Sequence, residues 1–281
     1  MLWIRNIAPP WRVGPPGSPR RVYHRAPGRD SRLSGSPLIY TALFFAQGAL
    51  HALLFLWLLR LWHRFRPPAA LVLLLPELGL VYDNLIIASG RSIGLGPLLA
   101  ALSWPRFWLH WVCGPWPIIA AGSILRSAGL QFAQSRVVMG AFCALSVALT
   151  GLDLHLFGSA VLHPVCEHGL LRESLSVSAG HFCFPGETPA PGSNPTPSIV
   201  TCAVVIVAGA VLWIRRGFFW MLAGGIAMLA TSMPVLRPLR LDNLGEVLIL
   251  GGLIFGIARF APARHPAVAS RSASSSTRCA L

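Results

Sequence analysis

Four places in this chain set acids, amides, imidazoles or guanidinium groups into apolar sequence. The stretch PELGLVYDNLIIASGRSIG carries Glu77, Asp83, Asn84 and Arg91. PRFWLHW carries Arg106 and His110, GLDLHLF carries Asp153 and His155, and LDNLGEV carries Asp242, Asn243 and Glu246. An ionised side chain at the centre of a bilayer costs several kcal/mol, so such groups are expected to face protein or water. As a set they suit proton transfer on an amphipathic substrate. Asp83 or Glu246 would be the acid or base, His110 or His155 the shuttle, and Arg91 or Arg106 the clamp on a phosphate or carboxylate. The expected site therefore has Asp83, His110 and Glu246 as candidate catalytic groups. Asn84, Arg91, Arg106, Asp153, His155 and Asn243 are its candidate ligand-binding groups.

Plainer roles compete for several of them. Asn243 followed by Glu246 fits a helix N-terminal capping box. Arg106 suits anchoring to lipid head groups, and SWPRF reads as a helix start with Ser103 or Trp104 ahead of the proline. Asp153 and His155 are two apart, on nearly opposite helix faces. Asp83 and Asn84 lie several residues inside an apolar run, where a role in a site or a buried network is the better reading. Glu77, Asn84 and Arg91 are spaced by sevens and share one helical stripe.

The elements that must position these groups follow from hydropathy. The chain has 281 residues, 54% hydrophobic and 11% charged, with mean hydropathy +0.62. A soluble domain carries about 25% charged residues, so the class is an integral membrane protein. Apolar runs of spanning length cover Leu38–Leu59, Ala69–Ser89, Phe107–Leu125, Val137–Gly158, Ser198–Ile214, Gly217–Leu236 and Asn243–Ala258. The expected fold is an all-α, polytopic transmembrane bundle of about seven spans, or six if the last two runs form a re-entrant pair. Interior prolines at 76, 115 and 117 predict kinks. Seven spans bring Asp83, His110, Asp153 and Glu246 toward one membrane face.

The domain layout is a basic, Pro-rich segment 1–37, read as a disordered tail or an organellar targeting segment, then the membrane domain 38–260, then a disordered tail 261–281. All 23 basic residues are arginine, and the formal net charge is +14. Most arginines flank apolar runs, which points to anionic lipid head groups as the partner and away from nucleic acid. Arg60, Arg64, Arg66, Arg126, Arg136, Arg215, Arg216, Arg259, Arg264, Arg271 and Arg278 fall on the face that bears the C-terminus. The other face's loops carry Arg91, Arg106, Arg172, Arg237 and Arg240. The positive-inside rule then puts the C-terminus in the cytoplasm, or the matrix or stroma of an organelle.

The long loop 159–197 holds His163, Cys166, Glu167, His168, His181 and Cys183. Cys166 and Cys183 suit a disulfide if the compartment is oxidising, or remain two thiols. The spacing matches no zinc signature, so no metal site is assigned, and no cofactor is identified.

Three functions remain: a membrane protein that binds or acts on a lipid-like or small anionic ligand, a scaffold whose polar residues form a structural network, and a transporter with Glu77 as its mid-membrane ion site. A pocket joining a carboxylate to an imidazole favours the first. Polar groups paired only with each other favour the second. The third needs a polar trail beyond Glu77, where the sequence offers His51. The His-x-x-x-His of intramembrane metal hydrolases and the Asp-rich pairs of prenyltransferases are missing. The tripeptide Asp-Asn-Leu occurs twice, in YDNLIIASG and LDNLGEVLI, a weak echo of an inverted repeat.

Overall fold

A computed structural model of the protein describes residues 37–157, 160–167, 169–178, 181–184, 188–190, 195–233 and 242–261. The tails expected at the two ends, His168, Arg237 and Arg240 lie outside the described residues. Among the described residues eight α-helices follow one another: α1 Pro37–Phe65, α2 Pro68–Ile93, α3 Pro97–Cys113, α4 Trp116–Ser127, α5 Arg136–Phe157, α6 Thr196–Arg216, α7 Trp220–Thr231 and α8 Asp242–Phe260. Prolines open several of them (Pro68, Pro97, Pro117, Pro197), where a missing N–H costs nothing. Arg91, Arg126, Arg215 and Arg216 stand in last turns, where they complement the carbonyl end.

Among the described residues, five helices are long and apolar enough to cross a membrane: Leu38–Phe65, Pro68–Ile93, Arg136–His155, Thr196–Arg216 and Asn243–Phe260. Helix α8 is the central one, with 61% of its apolar window buried, and α5 is peripheral with 11%. Close packing of α6, α7 and α8 depends on glycine. A Cβ at Gly209 would overlap the Leu222 backbone, one at Gly224 the Leu248 carbonyl, and one at Gly252 would crowd the Trp220 carbonyl. Small residues at these crossings let backbones approach, the packing that substitutes for the hydrophobic effect in lipid. The core at this end joins Leu58, Leu73, Ile124, Leu212, Met221 and Leu253.

The run expected as one span over Phe107–Leu125 is instead two helices. Helix α3 begins ten residues earlier, at Pro97, and ends at Cys113; α4 resumes at Trp116. Ser103 and Trp104 do not start a helix, because Pro97 after Gly96 already does and Pro105 is accommodated inside. Tyr82 donates its hydroxyl to the Leu102 carbonyl at 2.8 Å, beside the Ala101 carbonyl that Pro105 cannot serve. At the break, Pro115 and Pro117 withhold two N–H groups. Helix α5 braces the break: Ser146 donates to the Pro115 carbonyl (3.0 Å) and Thr150 to the Val112 carbonyl (3.3 Å). Hydroxyls from a neighbouring helix are how broken backbone is tolerated in lipid.

The long loop is not structureless. His163–Glu167 (β1) and Leu170–Ser174 (β2) pair antiparallel, with Glu167 opposite Leu170. The two-residue turn between them needs the positive φ of Gly169 (77°). Phe182 bridges to Val165, Ala190 to Val177, and Cys166 is disulfide-bonded to Cys183. The hairpin rests on the end of α2, where a Cβ at Gly90 would overlap the Leu171 carbonyl oxygen.

Candidate functional site

Helix α2 presents two polar faces. Glu77 and Asn84 are wholly buried and turn toward α1, where Glu77 Oε2 meets His51 Nδ1 at 2.8 Å and Asn84 packs over Gly48. Asp83 turns instead toward α3 and takes the Arg106 Nε–H on Oδ1 at 2.7 Å. Arg106 is 4% exposed, and its Nη1 points at the Glu173 carbonyl of β2 at 3.4 Å, tying the hairpin to the helices. Arg106 is therefore committed to a carboxylate inside the protein, where the sequence also allowed a contact with lipid head groups.

Asn243 lies within α8 rather than ahead of it, so it is not the N-cap. Its side-chain amide donates to Asp83 Oδ2 (3.3 Å) and to Asn84 Oδ1 (3.1 Å), while Asn84 donates to the Leu80 carbonyl (2.9 Å). The two Asp-Asn-Leu tripeptides thus meet across α2 and α8. One helix turn further along α3 and α8, His110 Nδ1 stands 3.9 Å from Glu246 Oε1. His110 lies in the last turn of α3, about 20 Å along the helix from Pro97 at 1.5 Å per residue. The sequence placed it one turn inside a span; the early start of α3 makes the difference.

These groups line a cavity between α2, α3, α4, α6, α7 and α8, of about 90 Å³. Asp83, Arg106, His110 and Glu246 form its polar side. Leu80, Leu109, Pro117, Met228, Ile249 and Leu250 are apolar, and Ser198, Thr201 and Cys202 come from the start of α6. The His110 side chain is half exposed, so the cavity can be reached. The break between α3 and α4 contributes Cys113 and Gly114 to the wall. Thr201 is 5% exposed, and its hydroxyl has no hydrogen-bond partner among the described residues.

Four of the nine residues expected at a site therefore line one cavity: Asp83, Arg106, His110 and Glu246. Asn84 and Asn243 stand just behind Asp83. Asp153, on α5, is close enough to His110 for an electrostatic interaction. Arg91 and His155 are exposed and do not line the cavity: Arg91 is in the last turn of α2, and His155 sits two residues from Asp153 on another face of α5. Sequence reasoning missed Thr201 and Ser198, which have no charge to mark them. Cys113 and Cys202 are buried in the core and also border the cavity. Sequence reasoning also passed over Gln47, 1% exposed, whose amide has no partner among the described residues. Among those residues no group of three or more His, Cys, Asp or Glu could hold a metal. No family model matches the chain, and no curated protein or solved structure matches it either.

Proposed function

We propose that this integral membrane protein binds an amphipathic ligand head-first in the cavity between α3, α6 and α8, with the tail left in the bilayer. The observation that carries the reading is the His110–Glu246 pair on the wall of an otherwise largely apolar cavity, beside Asp83 and Arg106. A pocket of apolar lining with a few convergent polar groups is the ordinary form of a ligand site. Its size sets the mode of entry. An engineered cavity of about 150 Å³ takes a benzene ring, so about 90 Å³ accommodates a head group and its first methylenes but no complete acyl chain.

In this reading α3 and α4 together make one crossing and α7 a short one, for seven in all. The 12 residues of α7 span about 18 Å at 1.5 Å per residue, which requires local thinning or burial of its ends. The disulfide supports an oxidising compartment on the hairpin side. The arginines at the far ends of α1, α4, α6 and α8 support a cytoplasmic, matrix or stromal face there, the side of the C-terminus. His110 and Glu246 would exchange a proton with the ligand if the bound molecule is also transformed.

A structural network is the second reading, favoured by the mutual pairing of Asp83, Arg106, Asn84 and Asn243. Filling the cavity separates the two. Leu109→Trp and Cys202→Trp each place an indole in it while leaving the four-residue network untouched. Purified chain in neutral maltoside detergent is expected to gain thermal stability from a dodecyl amphiphile. The gain is about 2.7 kcal/mol at a hundred times Kd, and both plugged variants should lose it. Equal stabilisation of plugged and unplugged protein, or none at all, would leave the network as the only role.

A further inference from the structure

We propose that Gln47, His51 and Glu77 form a second polar site, in the seam between α1 and α2, which takes up water at mid-membrane from the hairpin side and is closed toward the arginine side. His51 is the central residue of the 29 in α1. Gln47 stands one turn before it on the same face, and Glu77 meets it from α2 at 2.8 Å. All three are at most 1% exposed. Four of their polar atoms have no hydrogen-bond partner among the described residues: Nε2 and Oε1 of Gln47, Nε2 of His51 and Oε1 of Glu77. Buried polar atoms are nearly always paired, with protein or with ordered water.

The chemistry of the four atoms selects the guest. A net charge at this depth is costly, and in every state of the His51–Glu77 pair without one, either Nε2 or Oε1 donates and the other accepts. Gln47 adds an amide donor and a carbonyl acceptor. A cation would face donors and an anion acceptors, whereas water both donates and accepts and makes about three such bonds when buried. The surroundings give the site its direction. On the arginine side the two helix faces continue as Leu58 and Leu73, both 0% exposed in the apolar core. On the hairpin side, Asn84 packs over Gly48, next to Gln47, and is bonded to Asn243. Asn243 leads on to Asp83, whose side chain is 19% exposed. The polar row therefore reaches the pair from one side and stops, an inlet rather than a crossing path. It stands whether or not the cavity binds an amphiphile.

Pulsed X-ray radiolysis of the full chain in neutral detergent makes hydroxyl radicals from water and oxidises the side chains beside it, which mass spectrometry then locates. Met221 is the dry reference: it is 0% exposed in the apolar core, and its thioether oxidises more readily than an imidazole. His51 is expected to be oxidised several-fold faster than Met221, with Leu58 and Leu73 as protected as Met221. Gln47→Leu should bring His51 down to the Met221 rate. Should that variant unfold, Met221 would be labelled as well, and the wild-type contrast decides alone. A His51 as protected as Met221, or equally labelled in a folded Gln47→Leu, overturns the site. Labelling of Leu58 or Leu73 at the His51 rate overturns its closure. Protection of His51 by sodium or potassium chloride, against choline chloride, would make the guest a cation and overturn the assignment of water.

Discussion

Replacing His51 by leucine is expected to destabilise the protein by about 3–5 kcal/mol, and replacing His51 and Glu77 together by much less. The two side chains are wholly buried, and Oε2 of Glu77 has only His51 Nδ1 as its partner among the described residues. Removing the imidazole strands a carboxyl group whose other oxygen has no partner among the described residues. Removing both returns the α1–α2 contact to an apolar one, which is often neutral or stabilising relative to a buried ion pair. Glu77→Leu alone should fall between, at about 1–3 kcal/mol, because a neutral imidazole is the less costly orphan. Thermal or denaturant melts of the three variants in one detergent would give the coupling. Additive losses, with the double variant as damaged as the sum, would show that the pair is not the unit described here.

Arg106→Leu is expected to cost about 2–4 kcal/mol. The figure lies below that for a fully buried pair because Asp83 keeps 19% of its side chain exposed and the Asn243 amide still donates to it. The damage should extend beyond the helices. Arg106 also points at the Glu173 carbonyl, so its loss should loosen the hairpin from α2 and α3. Limited proteolysis between His163 and Ser174 should accelerate in this variant and stay slow in Arg106→Lys, if a lysine ammonium still reaches Asp83. A lysine cannot reproduce the guanidinium fork, so it should recover only part of the stability. Wild-type stability in Arg106→Leu would mean that the Asp83 carboxylate is satisfied from the cavity alone.

Hydropathy located the five helices that are long and apolar enough to span a membrane, because lipid leaves few alternatives to an apolar helix of about 20 residues. It failed over residues 97–127. There Pro105 looks like a boundary but is carried inside α3, and Gly114-Pro115 look tolerable in a span but break it. What decides is tertiary: the Tyr82 hydroxyl near one proline and the Ser146 and Thr150 hydroxyls at the other. None of these can be paired with its carbonyl partner from sequence distance.

The site divided along the same line. Asp83, Arg106, His110 and Glu246 were legible because a charge or imidazole in an apolar run needs a reason. The heptad stripe that grouped Glu77, Asn84 and Arg91 marks a face of α2 that does not line the cavity. Its first two members are buried against α1 and the α8 amide, and the third has run past the bundle to an exposed last turn. Thr201 was invisible for the opposite reason. A hydroxyl on a helix ordinarily satisfies itself on its own backbone, and only the folded arrangement reveals one that does not.

The central claim is that the cavity beside His110 and Glu246 holds the head of an amphipathic molecule. A dodecylamine carrying a diazirine two carbons from its head group, photolysed with the full chain and mapped by mass spectrometry, tests it most directly. The account predicts adducts on the Leu109–Pro117 segment and on Ser198–Cys202, displaced by excess unlabelled amine and lost in Cys202→Trp. Labelling confined to the outward faces of α1 and α5, unaffected by competitor, would contradict it.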